Sequence, residues 1–108
     1  MQLEVTGRNV EVTESIRTYA ERKLGKLDKQ LHADVPVELH LTAEKNPSIA
    51  AKQVAEATVH LKGQALHAKA AAPDMKAAID ELAQKLVRQV KETHAKRSSI
   101  FKRNARAQ

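Results

Sequence analysis

Two observations predict an α+β fold for this chain of 108 residues. Four short segments alternate apolar with polar residues, as half-buried strands do, and two longer ones repeat apolar residues every three or four positions, as one-sided helices do. In chain order they read β-α-β-β-β-α. That order makes a two-layer sandwich, a four-stranded sheet with two roughly parallel helices on one face.

QLEVTG sets Leu3 and Val5 against Glu4 and Thr6 and stops at Gly7, which makes a short first strand. VTESIRTYAERKLGKLDKQL then turns helical. Thr13 or Ser15 can cap its start, and Glu14 suits the positive end of the helix dipole. Ile16, Ala20, Leu24, Leu27 and Leu31 form its buried stripe. Gly25 inside this helix costs up to ~1 kcal/mol against alanine. Residues 35–43 alternate Val35, Val37, Leu39 and Leu41 with Glu38, His40 and Thr42, and Asn46–Pro47 signals a turn.

From about residue 53, Ala55, Ala57, Val59 and Leu61 alternate with Glu56, Thr58, His60 and Lys62. KGQ at 62–64 provides a hairpin connection into a strand through Leu66, Ala68 and Ala70. These two strands are rich in alanine, so their assignment rests on alternation and flanking turns, not on propensity. Pro73–Asp74 opens the last helix with Asp74 as cap, and Met75, Ile79, Leu82, Leu86 and Val90 supply its stripe. The helix is expected to fray near Arg97, leaving residues 1–97 as the domain and 98–108 as a mobile basic tail.

A helix between the first two strands demands a right-handed crossover, so those strands run parallel and two hairpins follow. The sheet face bearing Glu, Thr and His is expected to meet water.

Charge is unevenly placed. Residues 1–84 hold 11 Lys/Arg against 12 Asp/Glu, whereas residues 85–108 hold 8 against one, so the net charge of +6 lies wholly at the end. Such asymmetry points to nucleic acid or an anionic surface. On a helical wheel, Arg22, Lys23, Lys26 and Lys29 share one flank of the first helix with Tyr19, while Glu14, Glu21 and Asp28 share the other. Lys85, Arg88 and Lys96 take the corresponding flank of the last helix, with Lys91 nearer the crest and Arg97 at the frayed end. Cations at a helix C-terminus gain ~0.3–1 kcal/mol from the dipole, which accounts for Lys96 and Arg97 but not for Arg22, Lys23 and Lys26. Phosphate contact explains those better, and these nine cations are the expected RNA-binding residues.

Other chemistries find little support. No cysteine is present, so disulfides and thiolate metal sites are excluded. MQLEVTGRNV lacks the pattern of a signal peptide, and no apolar stretch approaches the ~20 residues of a membrane span, so a soluble cytosolic protein is expected. His40, His60 and His67 could share the polar sheet face, but without carboxylate or cysteine at ligand spacing they read as exposed strand residues, not as a metal site. No nucleophile–base arrangement or pocket motif emerges, so neither an enzyme, a cofactor nor a small-molecule substrate is expected. Tyr19 and Phe101 are the only aromatics, and Gly7, Gly25 and Gly63 form no GxxG clamp. Base stacking on a sheet is thus disfavoured, and recognition of folded RNA by shape and phosphate remains. Tyr19 itself reads as packing.

The chain resembles the ribosome hibernation-promoting factor and ribosome-associated inhibitor family. VTGRNVEVTESIRTYAERKLGKLDK is similar to its opening, through Gly7, Val12, Thr13, Ile16, Tyr19, Lys23, Leu24, Lys26 and Leu27. DMKAAIDELAQKLVRQVKETHAKR is similar to its close, through Asp74, Met75, Ala78, Ile79, Asp80, Leu82, Lys85, Leu86, Arg88 and Gln89. The resemblance implies a factor that binds the small ribosomal subunit between head and body, its basic helices on 16S ribosomal RNA. It would block the decoding region where messenger RNA and the A- and P-site tRNAs lie. Long family members carry a second domain that pairs ribosomes; the likeness here is to the short form, which would need another factor for pairing. Two alternatives stand beside it: a general double-stranded-RNA-binding-domain-like module, and a protein-interaction regulator of transcription.

Overall fold

The computed structural model describes the backbone over residues 1–46 and 49–107, and side chains over residues 1–44 and 52–94. Its elements are β1 (Gln2–Arg8), α1 (Glu14–Leu24), a 3-10 turn (Gly25–Lys29), β2 (Pro36–Asn46), β3 (Ile49–Leu61), β4 (Gln64–Ala72) and α2 (Met75–Ala107). The sheet order is β1-β2-β3-β4. β1 runs parallel to β2, with Val5 opposite Leu39, and both remaining pairings are antiparallel. This is the predicted β-α-β-β-β-α arrangement. The turn expected at Asn46–Pro47 reaches outside the described residues.

Local signals set the boundaries. The Thr13 hydroxyl accepts the Ile16 amide at 3.2 Å and caps α1, while the Asp74 carboxylate accepts the Ala77 amide at 3.4 Å and caps α2. At Gly63 the two-residue turn between β3 and β4 takes φ 85°, a conformation glycine adopts without strain. At Gly7 a Cβ would lie 2.5 Å from the Val10 carbonyl oxygen, so the chain leaving β1 folds back too closely for any side chain.

Two boundaries differ from the sequence reading. The first helix is not continuous to Leu31; it tightens at Gly25 into the 3-10 turn, which still buries Leu27. A tighter last turn satisfies orphan carbonyls at a helix end, and Gly25, a weak helix former, marks where it starts. α2 continues past Arg97 to Ala107, a stretch without glycine or proline to stop it. Side chains beyond residue 94 lie outside the description, as does the question of a mobile tail.

The core lies between sheet and helices. Val37, Leu39 and Leu41 from β2, and Ala55, Ala57 and Val59 from β3, meet Ala20 and Leu24 of α1 and Ile79, Leu82, Leu86 and Val90 of α2. The small residues of β3 and β4 serve a purpose here. Ala55, Ala57, Ala68 and Ala70 are all buried under α2, so alanine lets a bulky helix stripe settle close to the sheet. Among the described residues no polar or charged residue is buried.

Candidate nucleic-acid interface

α1 and α2 lie side by side, and their facing flanks enclose a groove of about 540 Å3. Lys23 lines it from α1 and Lys26 from the 3-10 turn that follows; Asp80, Ala83, Gln84, Val87, Arg88, Lys91 and Glu92 line it from α2. Ala83 is buried and Val87 half-buried, whereas Lys26, Gln84, Arg88 and Lys91 are exposed. The groove thus has an apolar floor between walls in which four cations outnumber the carboxylates of Asp80 and Glu92.

Among the described residues a polar tie joins the helices. The Tyr19 hydroxyl donates to the Asp80 carboxylate, with oxygens at 2.7 and 2.8 Å, and Lys23 Nζ lies 3.3 Å from the same carboxylate. The hydroxyl's hydrogen bond, then Lys23, hold the Asp80 carboxyl below the ordinary carboxylate range. The same bond, with desolvation and the carboxylate's charge behind it, holds the Tyr19 hydroxyl above the ordinary tyrosine range. The Tyr19 ring also has Arg22, Lys23 and Lys76 within 5.4–5.5 Å of its centroid, close enough for cation–π attraction.

The structure sorts the nine predicted cations. Lys23, Lys26, Arg88 and Lys91 share the groove. Arg22, in the last turn of α1, lies beside Tyr19 on a shallow depression that also includes Glu14 from the first turn and Lys76 from α2. Lys29 is exposed at the end of the 3-10 turn. The sequence reading also grouped Lys85 with Arg88, and here geometry corrects it. Lys85 Nζ donates to the Lys69 carbonyl at 2.8 Å, and Gln89 Nε2 donates to the His67 carbonyl at 2.9 Å. Both partners lie along the open edge of β4, so these two side chains cap a sheet edge instead of lining the groove. The side chains of Lys96 and Arg97 fall outside the described residues.

Sequence reasoning missed the groove's neutral and acidic members. Asp80, Ala83, Gln84 and Val87 recur at three- and four-residue spacing along one flank of α2, and that spacing was the available signal. The histidines stand as expected on the exposed sheet face. His40 pairs with the Thr6 hydroxyl at 2.6 Å, His67 with the Thr58 hydroxyl at 3.0 Å, and His60 lies 3.4 Å from Glu38. Among the described residues no cluster could hold a metal ion and no helix is long and apolar enough to cross a membrane.

Fold and groove together define a small α+β module that gathers cations from two helices onto one face. Residues 3–98 match the family described as Sigma 54 modulation protein / S30EA ribosomal protein, and the chain belongs to that family. It is 40% identical over 90 residues, 83% of this chain and 90% of the relative, to the ribosome hibernation promoting factor of Salmonella typhimurium. It is 36% identical over 92 residues to the ribosome hibernation promotion factor of a Picosynechococcus species, 84% of this chain but 48% of that relative. Among solved structures, the Thermus thermophilus Protein Y N-terminal domain is similar with a TM-score of 0.74 and 32% identity, covering 86% of this chain and 99% of that one. A ribosomal subunit interface protein from Coxiella burnetii superposes with a TM-score of 0.75 at 26% identity, covering 88% and 99%.

Proposed function

We propose that this chain is a cytoplasmic ribosome-binding hibernation factor. Its α1–α2 face meets 16S ribosomal RNA on the small subunit, fills the decoding region used by messenger RNA and the A- and P-site tRNAs, and silences translation by bulk. No bond is made or broken. The observation that carries the reading is the convergence of Lys23, Lys26, Arg88 and Lys91, from two helices, on one groove. Lys26, Arg88 and Lys91 have no hydrogen-bond or ion-pair partner among the described residues, so each is open to a phosphate. The names of the relatives support the same reading.

The test is sedimentation of a stationary-phase lysate through a low-salt sucrose gradient. Co-migration with small subunits or whole ribosomes is expected, together with protection of decoding-region 16S RNA in a footprint. Protein found only at the top of the gradient overturns the proposal. Equal affinity for arbitrary RNA duplexes and small subunits would replace it with a general double-stranded-RNA module.

A further inference from the structure

The groove has features that a strip serving only to track phosphates would not need. Its floor, Ala83 and Val87, is apolar, and Gln84 and Asp80 place hydrogen-bonding groups beside that floor. Its volume, about 540 Å3, lies within the roughly 300–1,000 Å3 of small-ligand sites. Lys23 is engaged with Asp80 at 3.3 Å, which leaves Lys26, Arg88 and Lys91 as the open cations on the rim. Glu92 also lines the rim, but the cations outnumber the acids, and an apolar patch flanked by polar side chains and by Lys26, Arg88 and Lys91 is complementary to one nucleotide.

We infer that the α1–α2 groove is a binding site for a single nucleotide. The base lies over Ala83 and Val87 with its polar edge toward Gln84 and Asp80, and the phosphates meet Lys26, Arg88 and Lys91. A nucleotide splayed from an RNA strand and a free nucleoside diphosphate present the same chemistry to this groove. The inference rests on the same groove as the ribosome reading and assigns it a ligand, and its test uses the isolated protein so that the two can fail separately.

The isotopically labelled full chain is titrated, with amide resonances followed by NMR, against guanosine diphosphate, inorganic pyrophosphate and a purine tetranucleotide. Shifts confined to residues 23–26 and 80–92 are expected, with the diphosphate nucleotide binding at least about tenfold more tightly than pyrophosphate. Arg88→Gln should weaken both ligands alike. Val87 is half-buried against the core, so a urea melt accompanies Val87→Gln, which should keep the fold and remove only the advantage of the base. A tetranucleotide at least about tenfold tighter than the free nucleotide identifies RNA as the source, and equal affinities identify the free nucleotide. Pyrophosphate binding as tightly as the nucleotide, or shifts spread over Lys62 and Lys69 as well, overturns the site, as does binding by neither nucleotide ligand. Small-subunit co-sedimentation of Val87→Gln is scored separately, so a failed groove and a failed ribosome reading are told apart.

Discussion

Removing the open groove cations should change the salt dependence of RNA binding by a countable amount. Each neutralised phosphate contributes about 0.7 to 0.9 to the slope of log affinity against log salt, the lower figure for single strands. Lys26, Arg88 and Lys91 line the groove without partners, whereas Lys23 is tied to Asp80. Replacing those three with alanine should therefore flatten the slope by about 2 to 3. Between 50 and 200 mM salt the triple variant should lose about 15- to 60-fold less affinity than the parent, even though it binds more weakly at low salt. All three side chains are exposed, so its urea melt should stay within about 0.5 kcal/mol per substitution. The assay is fluorescence anisotropy of a labelled 16S decoding-region RNA over that salt range. Lys85→Ala is the internal control: with its ammonium on the Lys69 carbonyl, it should move the slope by less than about half a unit. An unchanged slope in the triple variant, or a Lys85→Ala effect as large as that of Lys91→Ala, would refute the assignment of the groove.

Leu86 is fully buried, so Leu86→Ala should cost about 2–5 kcal/mol in a urea melt, a large part of the roughly 5–15 kcal/mol of a typical domain. Gly7→Ala should cost about 1–3 kcal/mol, because the added methyl meets the backbone oxygen of Val10, which cannot swing aside as a side chain would. The Tyr19–Asp80 tie predicts a window of pH dependence. The lowered Asp80 carboxyl stabilises the fold above the ordinary carboxylate range, and that contribution fades as pH falls through its depressed value. The raised Tyr19 hydroxyl acts oppositely: its contribution is complete below the ordinary tyrosine value and lost as pH rises through the elevated one. The stability difference between the parent and Asp80→Asn should thus be widest near neutral pH and shrink in acid; a difference independent of pH would remove the tie from the account.

What the sequence revealed depended on how many residues shared each signal. The strands and the α2 stripe were legible because burial repeats at a fixed period: Val37, Leu39 and Leu41 on β2, and Ile79, Leu82, Leu86 and Val90 on α2, are all at most 1% exposed. The parallel pairing of β1 and β2 followed from chain connectivity. The end of α1 was not legible, since Gly25 takes an ordinary right-handed φ of −58° and only the hydrogen-bond pattern tightens there. The basic patch was legible as charge but not as shape. At about 100° per residue a wheel places Lys85 and Arg88 only about 60° apart, yet β4 stands on one side of α2 and α1 on the other. Which neighbour a flank faces is a tertiary fact, and it separates a lysine that caps a sheet edge from one that waits for a ligand.

That tertiary fact also explains the carboxylate in the middle of a cationic groove. Lys23 at the end of α1 and Lys26 in the 3-10 turn stand three residues apart, where like charges oppose one another by a few tenths of a kcal/mol, about 0.2–0.5. Asp80, reaching across from α2, takes Lys23 as partner and Tyr19 as donor, so the two helices are joined at one polar point and the groove keeps a defined width. The sheet face beyond the core mixes signs: Glu4, Glu38 and Glu56 share it with Arg8, Lys52 and Lys69, the last directly opposite Glu56, and His60 lies beside Glu38. A polyanion approaching the molecule therefore meets near-balanced charge on the sheet and the open cations Lys26, Arg88 and Lys91 at the groove, which favours approach on the helix side. Orientation by the field and registration by the tied helices are separable: salt should weaken the first, whereas Tyr19→Phe should loosen the second while leaving the charge untouched.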